Sequence, residues 1–117
     1  WEAVDIRAFL LESICDAFVV EDWQWGPALA AKAELAAFTG QTLWVENGLF
    51  TGISQVFQAH MAAALPRIEY TISLTHIAED DVVIEPFTLE RGVYRVPQKP
   101  GLGVTLDEKA VQKYRVA

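Results

Sequence analysis

The sequence is short, acidic and rich in apolar residues, and these properties exclude several classes of protein. It has 117 residues, of which 52% are hydrophobic and 21% are charged, and its formal net charge is −7. This length suits one modest domain with a small core, and the apolar content is too high for a disordered segment. The acidic balance argues against nucleic-acid binding, and no apolar run is long enough to cross a membrane.

The cysteine content and the first residues bear on the cellular compartment. Cys15 is the single cysteine, so the sequence predicts neither an internal disulfide nor a cysteine metal cluster. The sequence opens on Trp1 and shows no charged and apolar leader of the secretory type. We therefore predict a cytoplasmic protein, and we expect a sequence that starts at Trp1 to derive from processing or from a longer chain.

In the first part of the chain, hydrophobic spacing predicts a helix, a strand and a second helix. Apolar residues three and four apart predict a short helix over residues 5–13. The continuous apolar run 17–20 is typical of a parallel strand buried on both faces, and Glu21 and Asp22 close it. An Ala- and Leu-rich helix is predicted over residues 27–38, with proline in its first turn. The two acids therefore fall at the carboxyl end of a buried strand.

The same order of strand and helix then repeats. A second buried strand, 42–45, stops at Glu46, and Asn47-Gly48 supplies residues typical of a turn. Apolar spacing predicts another helix from Ile53 up to Pro66, and residues 68–74 suit a third strand. Alternating helices and strands imply parallel strands joined by right-handed crossovers, with acids at the same edge of the sheet.

The last third of the chain has a different pattern. Three short extended pieces, 82–84, 87–89 and 93–96, are separated by proline and glycine. This pattern is typical of an antiparallel or looping return rather than of further parallel strands. We therefore divide the chain into a part with parallel strands, 1–78, and a carboxyl-terminal return segment, 79–117.

A final helix is predicted at the end of this return segment. Thr105 and Glu108 are spaced three residues apart, as in a capping box, in which each residue bonds a backbone N–H at the start of a helix. The predicted helix runs to about Arg115.

Five motifs occur in order in the second half of the sequence. They are Gly52-Ile53-Ser54, Ala62-Ala63-Ala64-Leu65-Pro66, Val83-Ile84-Glu85-Pro86, Val96-Pro97 and Lys99-Pro100-Gly101-Leu102-Gly103-Val104. Together they resemble the end of the mandelate racemase and muconate lactonizing enzymes of the enolase superfamily. Upstream, residues 16–22 are similar to the sixth barrel strand of that family and residues 43–48 to its seventh, so the resemblance covers essentially the whole chain.

The resemblance implies an α/β fold that is the carboxyl-terminal portion of a TIM-type barrel. This portion has about three β/α units, strands 6 to 8, followed by the irregular or antiparallel return segment. A complete barrel needs about 250 residues, so more than half of it is missing. In the family a magnesium ion is held at the ends of the third, fourth and fifth strands, which would precede Trp1. The resemblance thus implies Mg²⁺ in the full-length enzyme, with none of its ligands in this chain.

The resemblance also implies a reaction and two catalytic positions. Family members remove a proton beside a substrate carboxylate, and in the racemase subgroup the base is a histidine after the seventh strand, oriented by an aspartate after the sixth. Asp22 matches the aspartate, whereas Glu46 stands at the position of the histidine. A carboxylate acts as a general base where burial or a neighbouring negative charge raises its pKa, and Asp22 is a source of such charge. The alternative is that the substitution removes racemase-type chemistry altogether.

Other polar residues have both a functional and a structural interpretation. Asn47, Gly48 and Thr51 would line the same mouth of the barrel, where helix-start N–H groups attract a substrate carboxylate or hydroxyl. The alternative is a simple turn and helix cap. His60 lies on the apolar stripe of its helix and Glu69 near the start of the third strand, so we interpret both as structural.

These observations lead to two functional hypotheses. In the first, the chain derives from a magnesium-dependent racemase, epimerase or dehydratase that acts on a small carboxylate such as an acid sugar, and the chain alone is inactive. In the second, it is a non-catalytic or split module that self-associates or pairs with a partner that supplies the rest of the barrel. An inert truncated product is a further alternative. A chain that aggregates and binds a hydrophobic dye favours truncation, and a defined oligomer favours the module.

Overall fold

A computed structural model describes residues 11–12, 15–21, 26–46, 51–71 and 78–116. The predicted helix at 5–13 lies outside these residues, apart from its positions 11 and 12. In the described ranges the elements follow the order β1, α1, β2, α2, β3, α3. Their bounds are β1 Ala17–Glu21, α1 Pro27–Thr39, β2 Thr42–Glu46, α2 Gly52–Ala64, β3 Ile68–Thr71 and α3 Glu108–Tyr114.

The three strands form one parallel sheet in the order β1-β2-β3. The first two strands are in continuous register, from Ala17 opposite Thr42 to Glu21 opposite Glu46. Between β2 and β3 the register shifts once, next to Leu43 and Trp44. The structure confirms the predicted parallel strands, and the third strand ends at Thr71 within the described residues.

Helix α1 begins and ends where the sequence predicts. Pro27 lies in the first turn, where its missing N–H costs no intrahelical bond. Gly40 follows the helix with a φ of 80°, a left-handed conformation that glycine adopts readily, and its N–H donates to the carbonyl of Ala36. The helix buries Leu29, Ala33 and Ala36, which lie on one face at spacings of four and three residues.

The hydrophobic core lies between the helices and one face of the sheet. Its fully buried members are Val20, Leu29, Ala33, Ala36, Leu43, Val45 and Ile68. On the opposite face of the sheet, Val19 is 57% exposed and Trp44 is 39% exposed. The expectation that the strand at 17–20 is buried on both faces is therefore wrong for the described residues. A continuous apolar strand is typical of a barrel, where further strands enclose the inner face.

Arg67 joins the beginning of β2 to the end of α1. Its Nε donates to the carbonyl of Gln41 at 2.7 Å, and its Nη2 donates to the carbonyl of Gly40 at 2.9 Å and to Thr42 Oγ1 at 3.1 Å. Carbonyls at a helix carboxyl terminus lack intrahelical partners, so these bonds satisfy acceptors that would otherwise depend on water. Arg67 itself has a φ of 61°, which is unusual for a residue with a side chain.

Replacing Arg67 with methionine is expected to lower the free energy of unfolding by about 1–3 kcal/mol, because three donated hydrogen bonds are lost while the apolar stem is kept. Chemical denaturation followed by circular dichroism measures the change. Arg91 is a matched control, because it also has a positive φ, of 53°, and its side chain is exposed. Equal losses in Arg67→Met and Arg91→Met would show that the three bonds contribute nothing specific.

The return segment folds back mostly without regular strands. In its described residues, single antiparallel bridges pair Val83 with Leu106 and Glu90 with Val93. The rings of Phe87 and Tyr94 stack with their centroids 4.1 Å apart. The predicted extended pieces are thus present as isolated bridges and a ring contact, because proline and glycine interrupt every run before a ladder forms.

The predicted capping box at Thr105 is wrong. The N-cap of α3 is Asp107, whose Oδ1 accepts from the backbone N–H groups of Lys109 at 2.9 Å and Ala110 at 3.2 Å. Thr105 instead donates from its backbone N–H at 2.7 Å and from its hydroxyl at 3.0 Å to the carboxylate of Glu85. The backbone N–H of Thr105 is the largest cause that lowers the pKa of Glu85 to about 2.

No helix in the described part of the chain is both long enough and apolar enough to cross a membrane.

Candidate active site

Strands β1 and β2 both end on an acidic residue. The parallel register places Glu21 directly opposite Glu46, at the carboxyl edge of the sheet. Neighbouring strands are about 4.8 Å apart, so the two positions are adjacent. Binding sites of parallel α/β folds lie at this edge, because the loops that follow the strands converge there.

Strand alternation assigns Glu46 to one face of the sheet. Val20 is 2% exposed and Val45 is 1% exposed, and both pack on the helices. The exposed Val19 and Trp44 occupy the opposite face. Successive residues of a strand alternate between faces, so Glu46 belongs to the face of Val19 and Trp44. In a closed barrel with helices outside, that face lines the interior.

The structure describes only two of the five predicted site residues. Glu46 is half-buried and ends β2, and Thr51 is exposed and directly precedes α2. Asp22, Asn47 and Gly48 lie outside the described residues, so their roles remain predictions.

Glu21, the residue before the predicted Asp22, is the last residue of β1. Two adjacent acids follow the apolar run, and the sequence pattern alone does not decide which of them stands opposite Glu46. The strand register makes that choice, because it pairs β1 with β2 residue by residue up to Glu21.

The carboxyl end of β2 contacts helix α2 through a buried amide. Gln58 Nε2 donates to the backbone carbonyl of Glu46 at 3.3 Å. Gln58 is 1% exposed and Glu46 is half-buried, so this bond is partly buried. The backbone of Glu46 is therefore held from the helix side as well as from the neighbouring strand β1.

The start of helix α2 binds a carboxylate of the protein itself. The backbone N–H of Gly52 lies 2.9 Å and 3.0 Å from the two carboxylate oxygens of Asp81, and the N–H of Val82 donates to the same group at 2.6 Å. Thr51 occupies the N-cap position without a side-chain cap bond. Asp81 thus performs the capping that the sequence assigns to Thr51, and it occupies the N–H of Gly52.

His60 and Glu69 make the structural contacts expected of them. His60 Nε2 is 3.1 Å from the carbonyl of Leu102, which connects α2 to the return segment. Glu69 forms an ion pair with Arg67 at 3.2 Å, close to the start of β3. Neither side chain lies at the carboxyl edge of the sheet.

Magnesium requires several oxygen ligands in near-octahedral geometry. Within the described ranges, no three acidic, histidine or cysteine side chains converge into a group that fits a metal ion. The pair at positions 21 and 46 alone does not supply a full ligand set. The described residues alone therefore do not make up a magnesium site.

A parallel sheet with helices on one face and acids at its carboxyl edge is typical of a portion of an α/β barrel. Residues 2–110 match the family model described as enolase C-terminal domain-like. The chain belongs to this family, which confirms the resemblance found in its motifs and the barrel-like α/β fold.

Individual relatives show the same relationship. An o-succinylbenzoate synthase from Listeria innocua is 31% identical over 87 residues, which are 70% of this chain and 22% of that protein. The crystal structure of an enolase-superfamily member from Listeria innocua matches with a TM-score of 0.80 and 27% identity, over 97% of this chain and 32% of that chain. An enolase from Gibberella zeae complexed with magnesium, formate and sulfate matches with a TM-score of 0.70 and 28% identity, over 89% and 26% of the two chains.

The matches cover most of this chain but only a small part of each relative. The chain spans 22% of the length of each of the two curated relatives that it matches. The activity and substrates of a complete family member are therefore proposals for this chain.

Proposed function

We propose that the chain forms strands 6 to 8 of the barrel, within residues 1–78, and the return segment 79–117 of a cytoplasmic, magnesium-dependent enolase-superfamily enzyme. The enzyme removes the proton beside a substrate carboxylate, as a racemase, epimerase or dehydratase. The observation that carries this proposal is the register that brings Glu21 and Glu46 together at the carboxyl edge. Membership of the enolase C-terminal domain-like family supports it.

In this proposal Glu46 is the general base that takes up the substrate proton on its carboxylate. Its position on the face of Trp44 directs it to the interior of the closed barrel. A second acidic residue on the neighbouring strand, at position 21 or 22, is proposed to lie beside it at the same edge of the sheet. Magnesium, held by residues outside this chain, would stabilise the negative charge that develops on the substrate.

The proposed substrate is a small carboxylate, such as an acid sugar, that lies against the loop after β2. Asn47, Gly48 and Thr51 are proposed to line it. The N–H of Gly52 already donates to the carboxylate of Asp81, so it is not available to a substrate. We therefore expect side chains of this loop to bind the substrate carboxylate. The curated relatives are named o-succinylbenzoate synthases, and the product in that name is itself a carboxylate.

A chimeric enzyme tests the proposal. The segment of the Listeria innocua o-succinylbenzoate synthase that matches this chain is replaced by the 117 residues, and exchange of the substrate α-proton is followed by NMR in D₂O with Mg²⁺. We expect exchange above the level of the relative lacking its own segment, and none with the isolated chain. A folded, inactive chimera would contradict the proposal, and so would turnover by the isolated chain.

The exposed face of the sheet favours a second candidate, the non-catalytic or split module. Val19 and Trp44 are large apolar residues on a face that no helix of the described residues covers, and exposed parallel edges pair readily with other strands. Such a module would self-associate or bind a partner that supplies the missing barrel half. Analytical ultracentrifugation of the purified chain separates the two candidates, because a defined oligomer supports the module and dye-binding aggregates support a truncated enzyme.

A further inference from the structure

Two glutamines are buried in α2 next to the carboxyl end of β2. Gln55 is 2% exposed and Gln58 is 1% exposed, so both belong to the most buried side chains of the described residues. They lie three positions apart and therefore on one face of the helix. Burying an amide costs free energy unless its donors and acceptors find partners, so these positions are unusual in a small apolar core.

The amide groups of Gln55 and Gln58 use only part of their hydrogen-bonding capacity. Gln58 Nε2 donates to the backbone carbonyl of Glu46 at 3.3 Å, and a carbonyl acceptor fixes which end of the amide faces the strand. In the described part of the chain, Gln55 Nε2 and Gln58 Oε1 are buried without a partner. An apolar residue of the same length at position 58 would fill the space without an unpaired acceptor. The interaction that the Gln58 amide adds is therefore its hydrogen bond to the carbonyl of Glu46.

Glu46 is the last residue of β2, where the sheet gives way to the loop that follows. A strand end is held by fewer ladder bonds than a strand centre, so it opens more easily. The bond from Gln58 ties this end to a helix whose start is fixed in turn by Asp81. The backbone of Glu46 is thus held between the sheet and a helix that is fixed at its own start.

We propose that Gln58 is a positioning residue that fixes the backbone of Glu46, and through it the direction in which the Glu46 carboxylate leaves the strand. The functional meaning of this contact rests on the proposed role of Glu46 as general base. The sequence retains a costly amide at this position because a general base must be held in a defined geometry relative to the proton that it removes. Gln55, one turn earlier, carries a comparable cost without reaching Glu46.

The test compares Gln58→Met with Gln55→Met in the 117-residue chain, because methionine keeps the length of the side chain and removes the amide. Amide hydrogen exchange of Val45 and Glu46 and the ¹³C shift of the Glu46 carbonyl are measured by NMR. For Gln58→Met we expect exchange about tenfold faster at these two amides and an upfield carbonyl shift, because one hydrogen bond is lost locally. Gln55→Met should change neither.

Two outcomes overturn the proposal. One is an unchanged Glu46 carbonyl shift in Gln58→Met, and the other is equally faster exchange throughout the core in both variants, which marks a purely structural role. If Gln58→Met does not fold, the wild-type chain decides: a scalar correlation across the bond between Gln58 Nε2 and the Glu46 carbonyl carbon supports the proposal, and its absence overturns it. Failure of Glu46 as a base in the chimera would remove the proposed function and leave this contact intact, so the two failures are distinguishable.

Discussion

Replacing Glu46 with glutamine in the chimeric enzyme is expected to slow exchange of the substrate α-proton by about 100- to 10,000-fold, the usual contribution of a positioned general base. Glutamine keeps the size of the side chain and its place at the end of β2 but cannot take up a proton. The register at Glu21 and Glu46 and the Gln58 contact to the Glu46 backbone are unaffected by this change, so the loss should appear in kcat with little change in KM.

Two further variants make this result specific. Glu69→Gln is the matched control, because Glu69 lies near the start of β3 in an ion pair with Arg67, and its exchange rate should equal that of the unmodified chimera. Glu21→Gln removes the neighbouring negative charge, so a loss smaller than that of Glu46→Gln is expected. If Glu46→Gln exchanges the α-proton at an unchanged rate, the base is another residue. The proposed barrel fold would then stand, and the proposed role of Glu46 would be wrong.

The elements with strong local signals could be predicted from the sequence. Proline in the first turn and Gly40 after the last turn mark both ends of α1, and each acts within one or two residues of its own position. The run that ends at Glu46 gives β2 in the same way. Where backbone propensity and local side-chain pattern agree, the structure follows them.

The features that depend on contacts between distant residues were not predictable in this way. Asp81 caps α2 across 29 positions of the chain, and Glu85 takes both donors of Thr105 across 20. From the sequence a local cap was the expectation at Thr105 and one of two interpretations of Thr51. A capping motif indicates only that a side chain can bond nearby N–H groups. A carboxylate from a distant part of the chain that reaches the same N–H groups replaces the local cap.

The choice between Glu21 and Asp22 has the same physical origin. Adjacent residues of a strand occupy opposite faces, so a shift of one residue in the assigned strand end changes which residue stands opposite Glu46. Sequence similarity to a family aligns a strand to within a residue or two, which is the uncertainty that matters here. The pairing of Ala17 with Thr42, carried through to the last pair, removes it for position 21.

Replacing Gly52 with alanine is expected to lower the free energy of unfolding by about 2–4 kcal/mol, although alanine favours helices more than glycine does. A Cβ at position 52 would lie 2.5 Å from Asp81 Oδ2 and 2.6 Å from Val83 Cγ2, far inside normal contact distance. Relief of these contacts would move Asp81 away from the N–H of Gly52, which loses the hydrogen bonds at 2.9 Å and 3.0 Å.

The sign of the change in the free energy of unfolding shows whether the return segment packs tightly or loosely against the start of α2. If the return segment packed only loosely against α2, the methyl group would be accommodated, and helix propensity would stabilise the variant by up to about 1 kcal/mol. Thermal and chemical unfolding of Gly52→Ala, Asp81→Ala and the double variant completes the comparison. We expect the double variant to be less destabilised than the sum of the two single changes, because Asp81→Ala removes the carboxylate that the new methyl group meets. Strict additivity would mean that the carboxylate of Asp81 does not contact the start of α2 in solution.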